Sequence, residues 1–134
     1  VLRQFLPHLF DHPPHYLPSC GELNIALEDR DIHDSKNRDN HIMASPTERL
    51  ALREVLNVGL SDAFRKFTDE GGHFSWWDYR TRAFSRNMGW RIDHHYLTPN
   101  LYEQAISCTI DVAPRKLTQP SDHAPVILEL LESP

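Results

Sequence analysis

The sequence predicts a layered fold of the α/β or α+β class. Three observations lead to this prediction: two segments with apolar residues at helical spacing, one segment that alternates apolar and polar residues, and a short apolar run near the end. Along the chain they follow the order helix, strand, helix and then several strands. With 134 residues, the chain is long enough for one domain or for half of a larger one.

The first predicted element is an amphipathic helix over residues 1–10, which the prolines after His12 bring to an end. A short extended stretch follows at residues 16–20, where Pro18 disfavours a central strand. Residues 28–44 are rich in Asp, Arg, His and Asn. We expect them to form a long loop of the kind that usually has a function.

The next helix has clear boundaries in the sequence. Ser45 is the predicted N-cap, Pro46 is the first helical residue, and Glu48 completes a capping box. We expect this helix to cover residues 46–58, because Gly59 favours a C-terminal turn.

The remaining elements are predicted to be strands. Gly71-Gly72 indicates a turn, and residues 90–97 indicate a strand. Residues 106–112 alternate apolar and polar side chains, which is typical of a half-buried strand. Residues 126–131 are apolar on both faces apart from Glu129, which is typical of a central, covered strand.

The composition excludes several classes of protein. Hydrophobic residues make up 40% of the chain and charged residues 25%, which is too apolar for a disordered protein. No apolar run approaches the ~20 residues that span a bilayer, so we expect no membrane insertion, and the first ten residues lack the features of a signal peptide. Two cysteines, Cys20 and Cys108, cannot form a disulfide framework or a four-cysteine zinc site. We therefore expect a cytoplasmic setting and two buried, structural cysteines.

The charge balance argues against a protein that coats nucleic acid by bulk charge, because the formal net charge is −5. Of the 14 basic residues, 11 are arginine. Arginine's planar guanidinium group suits bidentate contact with phosphate. A local strip of arginines is therefore compatible with an enzyme that binds the phosphate groups of its substrate.

Carboxylates lie beside predicted strand ends or turns in three places: Glu22 with Asn24, Asp93 with His94, and Asp122 with His123. Convergence of these groups at one sheet edge would give the oxygen ligands that Mg²⁺ prefers. A carboxylate would also fix the tautomer of a neighbouring histidine. Such a set suits phosphodiester hydrolysis with metal-bound water. Spacing alone, however, favours ordinary loop residues over a phosphoesterase.

Longer strings are more specific, and they occur in this order: Gly21-Glu22-Leu23-Asn24, Trp76-Trp77-Asp78-Tyr79-Arg80, Gly89-Trp90-Arg91-Ile92-Asp93-His94 and Pro120-Ser121-Asp122-His123-Ala124-Pro125-Val126. Together they resemble the C-terminal half of exonuclease III and of its relatives, the apurinic/apyrimidinic (AP) endonucleases. These proteins belong to the endonuclease/exonuclease/phosphatase superfamily. The resemblance covers nearly the whole chain, and we expect residues 1–134 to be that C-terminal part.

The resemblance implies a fold and a role for each matching residue. The implied fold is the C-terminal half of a DNase I-like four-layered sandwich, with one mixed, mostly antiparallel sheet and helices on one face. Asn24 matches the asparagine that binds the substrate phosphate and positions the nucleophile, and Asp122 matches a metal-binding or metal-adjacent aspartate. His123 matches the histidine that stabilises the pentacovalent phosphorus, and Asp93 matches the aspartate that orients it. Glu22 stands at the position of the activator of the attacking water and is a second expected metal ligand.

The resemblance also implies a surface for duplex DNA. Trp76 and Trp90 match positions that the family presents around a flipped-out abasic nucleotide, although we expect Trp76 or Trp77 to pack in the core. Residues 80–91 contain four arginines and no acid, which favours phosphate contacts. The expected DNA contacts are Trp76, Arg80, Arg82, Arg86, Asn87, Trp90 and Arg91.

The sequence departs from the family pattern in two respects. Glu22 replaces the family's aspartate and lengthens the side chain by one methylene, a displacement that matters at a reacting centre. The glutamate and tyrosine motifs of the family's first half have no match here. We therefore expect part of a Mg²⁺- (or Mn²⁺-) dependent DNA-repair phosphodiesterase, an exodeoxyribonuclease III or AP endonuclease. It would act on abasic sites or 3′ ends of duplex DNA, and this chain would be incomplete or weakly active.

Two alternatives remain open. A catalytically impaired half-domain would fold and associate without hydrolysing DNA, and a phosphatase for small molecules or lipids is disfavoured by the tryptophans and the arginine strip. Because residues 126–131 are apolar on both faces, we also expect a homodimer through an uncovered sheet face. The other histidines fit no zinc template, and we expect them at the surface or in local hydrogen bonds: His8, His12, His15, His33, His41, His73 and His95.

Overall fold

A computed structural model of the chain describes residues 18–36 and 38–131. These residues contain the strands β1 (Pro18–Glu22), β2 (Ser61–Asp62), β3 (Asp93–Leu97), β4 (Ala105–Ile110) and β5 (Val126–Leu130) and the helices α1 (Pro46–Leu56), α2 (Ala63–Phe67) and α3 (Pro99–Gln104). Short 3₁₀ turns lie at Asp29–Asp31, Arg38–Asn40, Arg80–Arg82 and Ala113–Lys116. The helix predicted over residues 1–10 lies outside the described residues. None of the helices within them has the length and apolar character that crossing a membrane requires.

The described strands form two antiparallel sheets. One has the order β1-β3-β2, and the other pairs β4 with β5. The antiparallel α/β class is as predicted, but the single predicted sheet is divided in the described residues. A hydrogen bond from His95 Nε2 to the carbonyl of Val126, at 2.9 Å, joins β3 to β5.

The register of β1 against β3 brings polar side chains onto one face. Glu22 lies opposite Asp93, and Cys20 lies opposite His95. Directly opposed residues share a face of a sheet, so these four side chains lie on the same side. Pro18 is tolerated because it is the first residue of an edge strand. Cys20 is exposed, so its predicted burial is wrong: it lies on that edge strand and lines an open pocket.

Helix α1 begins at the residue that the sequence predicts, with the Ser45 half of the predicted capping box but not the half expected from the Glu48 side chain. The Ser45 hydroxyl accepts the backbone N–H of Glu48 at 3.4 Å, and Pro46 is the first helical residue. The helix ends at Leu56, two residues before the predicted end, and Gly59 follows with a φ of 113°. A φ in this range favours glycine.

The core is built from several neighbouring clusters of apolar side chains. One joins α2 and α3 to both sheets and contains Ala63, Phe64, Leu97, Leu101, Ala105 and Cys108. A second lies under α1 and contains Leu27, Leu52, Leu60 and Tyr96. The predicted burial of Cys108 is confirmed, and this burial raises the pKa of its thiol to about 11.

Strand β5 is not the covered central strand that its composition predicts. Its side chains alternate between half-buried and exposed, and Ile127 is 44% exposed. In the described residues β5 pairs only with β4, so it is an edge strand rather than a central one, and its exposed side chains share the face that contacts solvent. Ile106 of β4 is also exposed, because the register shifts between Ala105 and Ser107 and breaks the expected alternation.

Candidate active site

A pocket of about 580 Å³ opens where the end of β1 and the start of β3 meet the loop that leads into β5. It is lined by Cys20, Gly21, Glu22, Asp93, His94, His95, Pro114, Ser121, His123, Ala124, Pro125 and Val126. The pocket therefore combines side chains from both sheets.

Asp93 and His123 form a hydrogen-bonded pair in this pocket. His123 Nδ1 lies 2.9 Å from Asp93 Oδ2 and 3.1 Å from Asp93 Oδ1. A carboxylate only accepts, so Nδ1 carries the proton and the imidazole is fixed in one orientation. Its other nitrogen, Nε2, lies 3.7 Å from Glu22 Oε1. The pair therefore presents Nε2 and a neighbouring carboxylate to the open side of the pocket.

Glu22, Asp93 and His123 place one ligating atom each within 4.8 Å of one another, a spacing that suits a metal ion. Asp122, the other predicted metal ligand, lies outside this group. Its Oδ2 instead accepts a hydrogen bond from Trp76 Nε1 at 2.9 Å, and its carbonyl accepts the backbone N–H of Trp77 at 3.1 Å. The structure thus brings Glu22 to Asp93 and His123 but holds Asp122 against the indole.

Asn24 lies two residues beyond the end of β1 and is exposed, with a φ of 55°. This left-handed conformation is uncommon outside glycine, although asparagine adopts it more often than most residues. Strained backbone of this kind recurs at ligand-binding positions. The conformation places the amide directly after the strand that carries Glu22.

The three tryptophans differ in exposure. Trp77 is 1% exposed and donates its indole N–H to Asn87 Oδ1 at 3.2 Å, so it is the core tryptophan that the sequence predicts. Trp76 is half-buried. Trp90 is 7% exposed and its ring lies 4.3 Å from the His41 ring. Burial leaves little of Trp90 for the DNA contact that we expect from its position.

The predicted arginine strip is divided between surface and interior. Arg80, Arg82 and Arg86 are exposed, and Arg80 forms an ion pair with Asp78 at 2.6 Å. Hydrogen bonds from Arg80 lower the pKa of Asp78 to about 2. Arg91 is only 2% exposed, so burial leaves it little surface for the DNA contact that its position in the sequence predicts.

Arg91 instead joins two carboxylates from distant parts of the chain. Its Nε donates to Asp31 Oδ1 and its Nη2 to Asp62 Oδ2, both at 2.7 Å. Arg65 Nη2 also donates to Asp31, at 2.5 Å. Burial alone would raise the pKa of Asp31, but the charges and hydrogen bonds of Arg91 and Arg65 outweigh burial and lower it.

His94 belongs to this interior network and not to the pocket chemistry that the sequence suggests. Its Nδ1 accepts from Arg91 Nη1 at 3.2 Å, and its Nε2 donates to the carbonyl of Ile25 at 2.8 Å. Burial and the charge of Arg91 lower the pKa of His94, which agrees with a neutral ring. His94 thus ties β3 to the residue that follows Asn24.

Ser75 is a residue that the sequence analysis missed. It is fully buried, and its hydroxyl oxygen accepts the backbone N–H groups of Ile92 and Asp93 at 3.0 and 3.1 Å. A serine before two tryptophans carries no signal for such a role in the sequence. Only the structure places it beside Asp93.

The described residues thus form an α/β fold with a carboxylate–histidine pair at an open pocket. A model of the Endonuclease/Exonuclease/phosphatase family matches residues 8–123. The chain belongs to this family.

Curated relatives are nucleases by name. The exodeoxyribonuclease of Bacillus subtilis is 38% identical over 110 residues, and exodeoxyribonuclease III of Haemophilus influenzae is 35% identical over 116. The DNA repair nuclease APEX1 of Danio rerio is 31% identical over 112 residues. These matches cover 81%, 81% and 83% of this chain but 42%, 43% and 35% of the relatives. The chain therefore spans less than half the length of these relatives.

Solved structures also match nearly all of this chain over about half of their own length. An AP endonuclease from Archaeoglobus fulgidus superimposes with a TM-score of 0.89 at 30% identity, over 96% of this chain and 51% of that one. The 3′ phosphatase NExo from Neisseria, bound to a product DNA hairpin, gives a TM-score of 0.92 at 34% identity, over 98% of this chain and 51% of that one. The fold is DNase I-like, and this chain forms about half of it.

Proposed function

We propose that residues 1–134 are the C-terminal part of a metal-dependent DNA phosphodiesterase of the exodeoxyribonuclease III or AP endonuclease type. The observation that carries the proposal is the Asp93–His123 pair, which lies beside Glu22 in one open pocket. Family membership and the names of the relatives support a nuclease. The proposed substrate is duplex DNA with an abasic site or a 3′ end, and the proposed location is the cytoplasm.

The proposed reaction is hydrolysis of a phosphodiester. The oxygen of water bonds to phosphorus, the bond from phosphorus to the 3′ oxygen breaks, and that oxygen takes a proton from solvent. Glu22 accepts the proton of the attacking water, and Asn24 holds the substrate phosphate. We propose that His123, with a proton on both ring nitrogens, donates from Nε2 to the phosphoryl oxygens and stabilises their charge while Nδ1 stays bound to Asp93.

The carboxylates in and beside the pocket fit a Mg²⁺ or Mn²⁺ ion in part. Glu22 and Asp122 offer the carboxylate oxygens that these ions prefer, and we propose that they hold the ion. Both oxygens of Asp93 already accept from His123, and one oxygen of Asp122 accepts from Trp76. A bound divalent ion would neutralise charge on the phosphate and on the leaving oxygen.

We propose that hydrolysis by this chain alone is weak. The two carboxylates leave coordination of the ion incomplete, and Glu22 reaches one methylene further than aspartate. The second candidate function, a catalytically impaired half-domain that associates without hydrolysis, is favoured by the exposed Glu22 side chain and the exposed face of β4 and β5.

Association would be with a second copy of the chain. Ile106, Ile127 and Leu131 are 51%, 44% and 57% exposed and belong to or directly follow the β4–β5 pair. Pairing through this face would bury them in an isologous interface. We expect light scattering at tens of micromolar to report a dimer, and a monomer at that concentration would contradict this part of the proposal.

Incision of a labelled duplex with a tetrahydrofuran abasic analogue tests the proposed function. The chain is assayed in Mg²⁺ or Mn²⁺, alone and mixed with the segment of the Bacillus subtilis relative that it does not match. We expect incision near background for the chain alone and clear incision in the mixture.

The decisive comparison uses two histidine variants. His123→Ala should reduce incision by roughly a hundredfold or more. His73→Ala should leave it unchanged, because His73 is exposed, lies beside Phe64 and does not line the pocket. If the folded chain binds no duplex DNA, and if neither the chain alone nor the mixture shows incision that depends on His123, the proposed function is wrong.

A further inference from the structure

The two members of the Asp93–His123 pair belong to different parts of the fold. Asp93 is the first residue of β3, in the three-stranded sheet, whereas His123 lies in the loop before β5. The 2.9 Å hydrogen bond between them therefore depends on how the backbones of two separate segments are held relative to each other. The segment Ser75–Trp77 lies between them and contacts both.

Ser75 contacts the backbone on each side. Its hydroxyl oxygen accepts the N–H of Ile92 and of Asp93, at 3.0 and 3.1 Å. Its carbonyl accepts the N–H of Ala124, the residue after His123, at 2.7 Å. One fully buried residue thus fixes the start of β3 and the end of the histidine loop.

The next two residues complete the connection to the loop. Trp76 Nε1 donates to Asp122 Oδ2 at 2.9 Å, and the backbone of Trp76 pairs with that of His123 in an isolated bridge. The backbone N–H of Trp77 donates to the carbonyl of Asp122 at 3.1 Å. Trp76 exchanges two further backbone bonds with Trp90, both at 2.9 Å, so the segment is itself held in place.

We propose that Ser75 and Trp76 are positioning residues: Ser75 sets the Asp93–His123 pair and Trp76 sets the carboxylate of Asp122. Neither acts on the phosphate in this role. The value of the arrangement for catalysis rests on the proposed function, but the positioning itself is a property of the folded chain. It is measurable without DNA.

A role in packing alone makes a different prediction. Alanine fills nearly the same volume as serine, so a Ser75 that only packs can be replaced without effect on His123. A Ser75 that positions the pair cannot be replaced in this way, because the buried N–H of Ile92 and the part-buried N–H of Asp93 lose their acceptor and the start of β3 must move to find another.

The experiment is NMR on the full 134-residue chain, and it follows the proton on His123 Nδ1. In the parent chain this proton is bound to Asp93, so its exchange with water is slow and the ring nitrogens report one tautomer. Ser75→Ala should speed this exchange at least tenfold and mix the tautomers. Ser75→Thr, which keeps the hydroxyl, should preserve slow exchange.

A matched control and a second variant complete the test. Ser107→Ala removes a hydroxyl that bonds Glu129 on the β4–β5 pair, away from the site, and should leave the His123 proton unchanged. Trp76→Phe keeps an aromatic ring but removes the indole N–H, and it should shift the carboxylate carbon resonance of Asp122. If Ser75→Ala does not fold, Ser75→Cys replaces it, because cysteine has nearly the volume of serine but is a weaker hydrogen-bond acceptor. The exchange of the His123 Nδ1 proton is then measured in that variant.

Three results would overturn the inference. They are a parent chain without a protected His123 ring proton, a folded Ser75→Ala or Ser75→Cys chain with parental exchange, and an Asp122 resonance unchanged in Trp76→Phe. The proposed function fails on DNA incision instead, so the two failures are distinguishable.

Discussion

Replacement of Arg91 by methionine tests the buried ionic network directly. Methionine keeps much of the length of the side chain but removes the guanidinium that bonds Asp31 and Asp62, both at 2.7 Å. Arg91 is 2% exposed and Asp31 is fully buried. Asp31 cannot recover its lost bond from water without opening the structure, whereas the Asp62 side chain is 12% exposed and keeps some access to water.

The expected loss of stability follows from these contacts. Removal of one partner of a buried ion pair typically costs about 3–5 kcal/mol. Asp31 keeps its bond from Arg65, and Asp62 keeps the backbone N–H of Phe64 at 3.0 Å, so we expect a loss near the lower end, about 3 kcal/mol. This is a large part of the roughly 5–15 kcal/mol that stabilises a typical domain.

Urea unfolding followed by tryptophan fluorescence measures this loss at pH 7. With a urea dependence of about 2 kcal/mol per molar, the midpoint should fall by roughly 1.5 M. Arg86→Met removes an exposed arginine and should leave the midpoint unchanged. A midpoint for Arg91→Met equal to that of the parent chain would refute the assignment of Arg91 to the network.

The pH dependence of the free energy of unfolding gives a second prediction for the same variant. The pKa of Asp31 is lower in the folded chain than its ordinary value of 3.8. Its ionised form therefore stabilises the fold above that value, and the contribution is lost as the pH falls through the folded pKa. The difference in free energy of unfolding between the parent chain and Arg91→Met should accordingly become smaller below pH 3.8.

Three further predictions concern the pocket and the thiols. Isothermal titration should show Mg²⁺ binding no tighter than roughly millimolar, because Asp93 is bonded to His123 and leaves Glu22 and Asp122 as the carboxylates that we propose to hold the ion; micromolar affinity would contradict this. Glu22→Asp should raise incision of abasic DNA roughly tenfold or more in the mixture with the complementary segment, by restoring the family's carboxylate position, and an unchanged rate would mean that the pocket already accommodates glutamate. Iodoacetamide at pH 8 should label exposed Cys20 but not Cys108, whose buried thiol has its pKa raised to about 11, until the chain unfolds; labelling of both in the native chain would refute the burial.

Local patterns predict the elements that depend on local chemistry. The cap at Ser45, the proline at the start of α1 and the glycine after its end follow from a few adjacent side chains, and the structure has all three. The edge position of β1 agrees with the proline at its first residue. The fold class and the family follow from the order of elements and from strings of several residues.

Features set by distant contacts do not follow from the same patterns. Arg91 looks like part of a surface strip because its neighbours in sequence are basic, yet its partners Asp31 and Asp62 lie 60 and 29 residues away. The apolar run of β5 does not indicate which of its faces is covered, because the covering elements are α2, α3 and β4. The role of Ser75 is likewise not predictable from the sequence, since its partners are backbone N–H groups that every sequence provides.

The position of the pocket between the two sheets has a consequence for inactivation. Asp93 is held by the β1–β3–β2 sheet and His123 by the loop that leads into β5. A local opening that moves the β4–β5 pair away from β3 would separate the two side chains while every helix and strand stayed intact. Such openings require less free energy than global unfolding. Heat or denaturant should therefore abolish the function of the pocket before it changes the circular dichroism of the chain.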